Sequence, residues 1–99
     1  MGNALKTFVL LNAKEENMPE IARFYGIVIK LFFGDHPPPH FHAVYGGSIG
    51  LFNIDTLEMI EGDLPNRAKK LVHEWASINK TELKHMWEKQ EFRKLSPLE

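Results

Sequence analysis

Apolar residues in the first half of the chain are spaced as in β-strands. Residues 21–33 are rich in β-branched and aromatic side chains, which favours one long strand. The odd-numbered positions of that strand form an apolar face, made of Tyr25, Ile27, Ile29, Leu31 and Phe33. The even-numbered positions form a mixed face that would expose aromatic rings to water if uncovered. Residues 7–11, a second copy of the chain or a different protein could cover it.

Tight turns divide the next stretch into shorter strands. Residues 40–45 form a second strand, and Gly46 and Gly47 are typical of a two-residue hairpin turn because glycine tolerates positive φ. A third strand then covers residues 48–54, and residues 57–60 could add a short fourth one. Successive tight turns favour an antiparallel meander over a parallel sheet.

Helical spacing begins at Leu64. The apolar residues that follow recur every three or four positions and predict an amphipathic helix over 65–78. Asn79 with Glu82 three residues later is a variant of the capping box and predicts the start of a second helix. Trp75 and Trp87 lie at core spacing on these helices, so we interpret them as anchors against the sheet.

These patterns together predict an α+β fold, an antiparallel three- to four-stranded β-meander followed by two C-terminal α-helices packed on one face. We expect a single domain over residues 18–95. Residues 1–17 are interpreted as an N-terminal extension, either an extra strand or disordered. The 99 residues, 43% hydrophobic and 25% charged, are typical of one small globular domain.

Composition narrows the classes of function. No apolar stretch is long enough for a membrane span, and no secretory leader is recognisable, so we expect a cytoplasmic protein. The chain has no cysteine, so any metal ion would need nitrogen and oxygen ligands. Residues 1–63 contain 4 Lys and Arg against 8 Asp and Glu, and residues 64–99 contain 8 against 5. This asymmetry supports nucleic-acid binding only weakly.

Candidate chemistry is concentrated in residues 35–42, the segment Asp-His-Pro-Pro-Pro-His-Phe-His. Prolines at positions 37–39 fix φ and make the connection between His36 and His40 stiff. His40 and His42 are two residues apart on a predicted strand, so their side chains project from the same face. Asp35 precedes them and could join them in one site.

Three interpretations of this segment remain open. In the first, His36, His40, His42 and Asp35 bind a divalent metal such as zinc. In the second, His40 and His42 act as a general acid and base, with Arg23 or Tyr25 assisting, in a small nuclease that cleaves RNA. In the third, the segment is a rigid hairpin element without a ligand.

Several motifs resemble a small prokaryotic family called domain of unknown function 4160. The resemblance covers about residues 18–90 and rests on Arg23-Phe24-Tyr25-Gly26-Ile27-Val28-Ile29, Asp35-His36, Pro38-Pro39-His40-Phe41-His42, Glu61-Gly62-Asp63-Leu64-Pro65 and Glu74-Trp75-Ala76. It implies that the aspartate and the three histidines of these motifs belong to the family's signature. Pro37 stands where the family commonly has a polar residue. Members often begin near the equivalent of Met18, which implies that residues 1–17 are an addition.

The same resemblance implies a protein partner. Members are often encoded beside a protein of another family, domain of unknown function 2442, in an arrangement like that of a toxin–antitoxin pair. The expected function is therefore a cytoplasmic interaction module of such a two-gene system, with residues 35–42 as its contact surface. A small nuclease or a metal-binding protein is the alternative. A homodimer is also compatible with the apolar second face of the first strand.

Overall fold

An antiparallel meander followed by one long helix accounts for residues 18–99, which are the residues that the computed structural model describes. The sheet has five strands in the order β1 to β5, and every neighbouring pair is antiparallel. The elements are β1 (Glu20–Phe24), β2 (Ile27–Lys30), β3 (His40–Tyr45), β4 (Ser48–Asn53), β5 (Met59–Gly62) and α1 (Asn66–Lys89). The predicted α+β class is confirmed. Residues 7–11, which we considered as a cover for the sheet, lie outside the described residues.

The prediction of one strand over residues 21–33 is wrong, because the chain reverses in its middle. Tyr25 and Gly26 have φ of 49° and 81° and form a two-residue turn between β1 and β2. Positive φ at both positions suits the twist of a hairpin. The turn leaves Tyr25 57% exposed, and Phe33 beyond β2 is 44% exposed, so these two positions leave the predicted apolar face. This extra hairpin, together with β5, makes five strands where three or four were expected.

The hairpin between β3 and β4 forms as predicted. Tyr45 pairs with Ser48 across the two glycines, and Gly46 has φ of 59°. The last strand lies two residues later than the predicted 57–60, because Leu57 adopts φ of 66° and still belongs to the turn. A Cβ on Gly62 would overlap the carbonyl oxygen of Ile49, so only glycine allows the end of β5 to approach β4 this closely.

One helix replaces the two that were predicted, although Asn79 does mark a break in it. Asn79 has φ of −109° and ψ of 16°, and its Nδ2 donates to the carbonyl oxygen of Trp75 at 2.9 Å. Only this residue leaves the helical region, so the helix resumes immediately and is kinked but continuous. Both halves bury the same stripe, formed by Ala68, Val72, Trp75, Ala76, Leu83 and Met86.

The core lies between the helix and one face of the sheet. Trp75 is 1% exposed, and its ring stacks on Phe24 with centroids 5.6 Å apart and meets the edge of Phe41 at 6.1 Å. The chain beyond the helix returns across this core, since Trp75 Nε1 donates to the carbonyl oxygen of Ser96 at 2.8 Å. Trp75 is thus the predicted anchor, whereas Trp87 is only partly buried. Within residues 18–99, no helix combines the length and apolar character that a membrane span requires.

Candidate functional site

Three side chains of the histidine segment meet at the start of β3. His40 and His42 lie at alternate positions of that strand, and Asp35 follows β2 on the connection that leads to it. Asp35 Oδ2 lies 3.0 Å from His40 Nε2 and 3.3 Å from His42 Nε2. One carboxylate oxygen is therefore shared by two imidazole rings, whose centroids are 5.2 Å apart.

His40 is the most deeply buried member of this cluster, with 7% of its surface exposed. Its Nδ1 donates to the carbonyl oxygen of Pro38 at 2.8 Å, because a carbonyl can only accept. The hydrogen bond to Pro38 thereby fixes the orientation of the His40 ring. Nδ1 carries the proton of this bond, and Nε2 points at Asp35. Trp87 from α1 lies over the ring at a centroid distance of 5.3 Å and shields it from water.

His42 is half-buried beneath Phe32, whose ring stacks on the imidazole at a centroid distance of 4.2 Å. Burial lowers the pKa of His42 because it disfavours the cation, and the neighbouring His40 acts in the same direction. The hydrogen bond with Asp35 opposes this shift without reversing it. His42 consequently favours the neutral form, in which an imidazole nitrogen can bind a metal ion.

Asp35 is held as a carboxylate by the groups around it. Burial opposes ionisation, but the backbone N–H of His36, which donates to Oδ1 at 2.9 Å, and the two histidine side chains outweigh it. Together these groups hold the pKa of Asp35 below its ordinary value. The cluster therefore contains an anionic oxygen with two nitrogen atoms beside it.

The other predicted site residues lie elsewhere. His36 is exposed, and its backbone, rather than its ring, contributes to the cluster. Arg23 forms an ion pair with Glu20 at 2.7 Å, two strands away from β3. Tyr25 occupies the turn between β1 and β2 and lines a cavity of about 160 Å³ with Tyr45, Arg67, Ala68 and Leu71. Neither Arg23 nor Tyr25 is a partner in the hydrogen bonds and ion pairs that Asp35 forms within residues 18–99.

Two aromatic neighbours of the cluster, Phe32 and Trp87, are absent from the predicted site residues. Phe32 could have been found, because strand alternation places it on the same face of the sheet as Lys30, the cross-strand partner of His42. Trp87 lies 47 positions after His40 in the sequence, and no local pattern connects the two. A further contact comes from Gln90, whose Oε1 accepts a hydrogen bond from the backbone N–H of Gly34 at 2.8 Å. This bond links the connection between β2 and β3 to the end of α1.

The geometry suits coordination of a single cation. One ligand atom from each of Asp35, His40 and His42 lies within 4.8 Å of the others. Ligand atoms bound to one tetrahedral zinc ion at about 2.0–2.1 Å are about 3.3 Å apart, which is close to the two distances from Asp35 Oδ2. Two imidazoles and one carboxylate also leave a coordination position for water or a further ligand.

Comparison with known proteins assigns the chain to a family. No curated protein and no solved structure matches it. Residues 26–88, more than half of the chain, match the model of the family described as domain of unknown function, DUF4160, and cover the three side chains of the cluster. The chain belongs to the DUF4160 family.

Proposed function

We propose that the protein binds one divalent transition-metal ion, with zinc as the best fit, through Asp35, His40 and His42. The observation that carries the proposal is the hydrogen bond from His40 Nδ1 to the carbonyl oxygen of Pro38. A neutral imidazole has only one ring proton, so this bond leaves Nε2 with a lone pair directed at the carboxylate of Asp35.

Two acceptors 3.0 Å apart repel each other unless a positive charge lies between them. Either a second proton on His40 or a metal ion can supply that charge. A metal ion also accounts for His42, because its Nε2 lies 3.3 Å from the same oxygen and its pKa is lowered by burial. A proton bridging His40 and Asp35 would leave His42 with no more than a peripheral hydrogen bond.

The ligand atoms limit which metal ions fit the site. Two imidazole nitrogens and one carboxylate oxygen suit zinc and its neighbours in the first transition row better than calcium or magnesium, which prefer oxygen ligands. Metal-bound histidines usually donate their second ring nitrogen to a carbonyl or carboxylate, and the contact of His40 with Pro38 has that form. A hydrolytic activity, such as the predicted nuclease, would use the position left for water and would depend on the same three residues.

Zinc titration of the full chain tests the proposal. Protein purified without nickel affinity and stripped with a chelator should bind one zinc ion per chain in isothermal titration calorimetry. His42→Ala should lower the affinity at least 100-fold because one of three ligands is lost. His36→Ala and His73→Ala are matched controls, since both rings are exposed, and both should bind as the unmodified protein does. Equal binding by all four proteins, or no binding at micromolar concentrations, would reject the site.

A second function, the interaction module of a toxin–antitoxin-like pair, is supported by the surface beside this cluster. His36, Pro37 and Pro38 are exposed on the connection between β2 and β3, and Phe33 at its start is 44% exposed. A stiff, partly apolar segment loses little conformational entropy when it binds a partner. The partner we propose is the neighbouring protein of the 2442 family.

Co-expression tests this second function. The two proteins should co-purify, and replacing His36 and Pro37 together with glycine and serine should weaken the complex. Tyr25→Ser is the matched control, because Tyr25 is also exposed but lies on a different turn. A pair of purified proteins that does not associate at about 10 μM, where even a weak signalling complex is populated, would exclude the function.

A further inference from the structure

The connection that carries Asp35 lies outside the sheet. The two histidines of the cluster belong to β3, so pairing with the strands on both sides fixes their backbone. Asp35 belongs to residues 31–39, which form neither a strand nor a helix. Its position therefore depends on the contacts that hold the two ends of this connection. At the far end, the carbonyl oxygen of Pro39 accepts a hydrogen bond from the backbone N–H of Ile54 at 2.9 Å.

The near end of the connection is held by the chain that follows α1. We define residues 91–98 as the C-terminal strap. Phe92 of the strap stacks on Phe33, with ring centroids 4.2 Å apart and ring planes 14° apart. Gln90, the residue between α1 and the strap, accepts the backbone N–H of Gly34 at 2.8 Å. Both residues that precede the aspartate are thus held by the end of α1 and by the strap.

Beyond Phe92, the strap returns along β1 and across the core. The backbone N–H of Leu95 donates to the carbonyl oxygen of Ile21 at 2.8 Å. The carbonyl oxygen of Ser96 accepts the indole N–H of Trp75, also at 2.8 Å. The strap is therefore docked on both layers of the fold, on β1 through one hydrogen bond and on α1 through the other.

The contacts that dock the strap are individually weak. It contains neither a helix nor a strand, and its apolar side chains are only partly buried. Arg93 and Lys94 pair with glutamates at the surface, where ion pairs contribute little stability. The backbone N–H of Arg93 donates to the sulfur of Met86, which is a weak acceptor. A segment held in this way opens at a lower free energy than the core does, so the strap can undock while the sheet and α1 stay folded.

We propose that docking of the C-terminal strap positions Asp35, so that strap docking and metal binding favour each other; this inference rests on the zinc site proposed above. The docked strap holds Phe33 and thereby restricts the carboxylate to the place where it meets both histidines. When the strap undocks, the start of the connection is released, and the aspartate must lose conformational entropy to bind the ion. Phe92 is accordingly a positioning residue, and whatever displaces the strap weakens metal binding.

Thermodynamic linkage gives the size of the effect and requires it to be reciprocal. Coupling between two sites of one protein typically changes an affinity by about 5- to 150-fold. One stacked pair of rings beside one hydrogen bond corresponds to the lower part of that range, about tenfold. Zinc should therefore bind about tenfold more tightly when the strap is docked. Saturating zinc should lower the population of the undocked strap by the same factor.

Zinc titration of the full chain by isothermal titration calorimetry tests the first effect. Phe92→Ser should weaken zinc binding about tenfold, whereas Phe92→Tyr keeps a ring that can stack and should bind as the parent does. Phe33→Ser should weaken binding to the same extent, and the double variant no further, because all three lose the same contact. Leu98→Ser is the matched control, since it removes a partly buried side chain from the strap but leaves Phe92 in place. Circular dichroism in chelator checks that each variant is folded.

Hydrogen exchange of the unmodified protein, followed by NMR with and without zinc, tests the reciprocal effect. The amide of Leu95 reports on docking, because it donates to the carbonyl oxygen of Ile21. Saturating zinc should slow its exchange about tenfold. The amide of Lys69, which donates to the carbonyl oxygen of Pro65 in the first turn of α1, is the control and should be unchanged. The slowing should be absent in Asp35→Asn, which lacks the ligand that the strap positions.

The outcomes separate this inference from the zinc site itself. A parent protein that binds no zinc rejects the site, and the coupling is rejected with it. If the parent binds zinc, equal affinity of the parent and Phe92→Ser, or an equal loss in Leu98→Ser, overturns the coupling and leaves the site standing. Unchanged exchange at Leu95 has the same meaning. Equal slowing at Leu95 and Lys69 would show a general stabilisation of the fold and would also overturn the coupling.

Discussion

Replacing Asp35 with asparagine separates the metal hypothesis from a purely structural role of the cluster. The amide has nearly the same shape as the carboxylate, and its oxygen can still accept the backbone N–H of His36. Its nitrogen would occupy the position of Oδ2, between His40 and His42. An amide nitrogen donates hydrogen bonds but does not bind zinc, so the variant removes the metal ligand and keeps the contacts.

The expected effect in the presence of zinc is large. A ligand at about 100 times its dissociation constant stabilises a protein by about 2.7 kcal/mol when only the folded state binds it. For a domain of this size, each 1 kcal/mol corresponds to roughly 4–8 °C in Tm. Zinc should therefore raise the Tm of the unmodified protein by roughly 10–20 °C. A 100-fold weaker site in Asp35→Asn would gain only about 0.4 kcal/mol, so the Tm of the variant should rise by no more than roughly 3 °C.

Without metal, the same variant should lose little stability. The amide nitrogen has two hydrogens and can donate to the lone pair on His40 Nε2, which replaces the repulsion between two acceptors by a hydrogen bond worth about 1 kcal/mol. We expect the chelated variant at pH 8 to be at least as stable as the chelated parent. Thermal unfolding by circular dichroism, with chelator and with zinc, measures both quantities. A variant more than about 1.5 kcal/mol less stable without metal would indicate an ion pair between Asp35 and a protonated His40, and would refute the reasoning.

Three further predictions concern single elements. Because the pKa of His42 is lowered in the folded state, the unfolded chain takes up a proton at higher pH than the folded chain does. The free energy of unfolding should therefore fall as the pH drops below about 6.5. Urea unfolding at pH 7.5 and 5.5 measures this loss, and His42→Gln should reduce it. Gly62→Ala should lower the free energy of unfolding by about 2 kcal/mol or more, because its Cβ would overlap a carbonyl oxygen of β4. Gly47→Ala, with nothing within 4 Å of its Cβ, should lower it by less than about 1 kcal/mol. Equal losses would contradict the stated overlap. Gln90→Asn should weaken zinc binding about tenfold, because it removes the hydrogen bond to the backbone N–H of Gly34 while leaving the fold intact. An unchanged affinity for zinc would show that this hydrogen bond does not support the site.

The parts of the fold that could be predicted are those with a local cause. Gly46 and Gly47 interrupt two alternating segments, and their backbone freedom alone favours the hairpin between β3 and β4. The hairpin between β1 and β2 could not be found in this way, because its turn contains Tyr25 within an otherwise apolar run. Asn79 marks a break as predicted, but it lies within one helix and does not start a second one, since packing of the same stripe on both sides keeps the helix continuous.

The candidate site likewise contains features that follow from the local sequence and features that do not. His40 and His42 share a face because strand geometry requires it, and the short proline connection limits how far Asp35 can lie from them. The direction of the His36 ring depends on the path of the exposed connection between β2 and β3. This path has no regular period, so the sequence pattern could not predict it. Its neighbour Asp35 turns inward, where the backbone of His36 and two imidazoles stabilise its charge.

Two aromatic rings reduce the exposure of the cluster to water, Trp87 over His40 and Phe32 over His42. The side chains of His42 and Asp35 keep 16% and 22% of their surface exposed. Low polarity beside the rings strengthens any interaction between the carboxylate and a cation, and it also raises the cost of leaving either charge unpaired. The lowered pKa of Asp35 rests in part on attraction to the two histidines, so the carboxylate is stabilised when positive charge lies beside it. A metal ion supplies that charge while His42 keeps the neutral form that its burial favours.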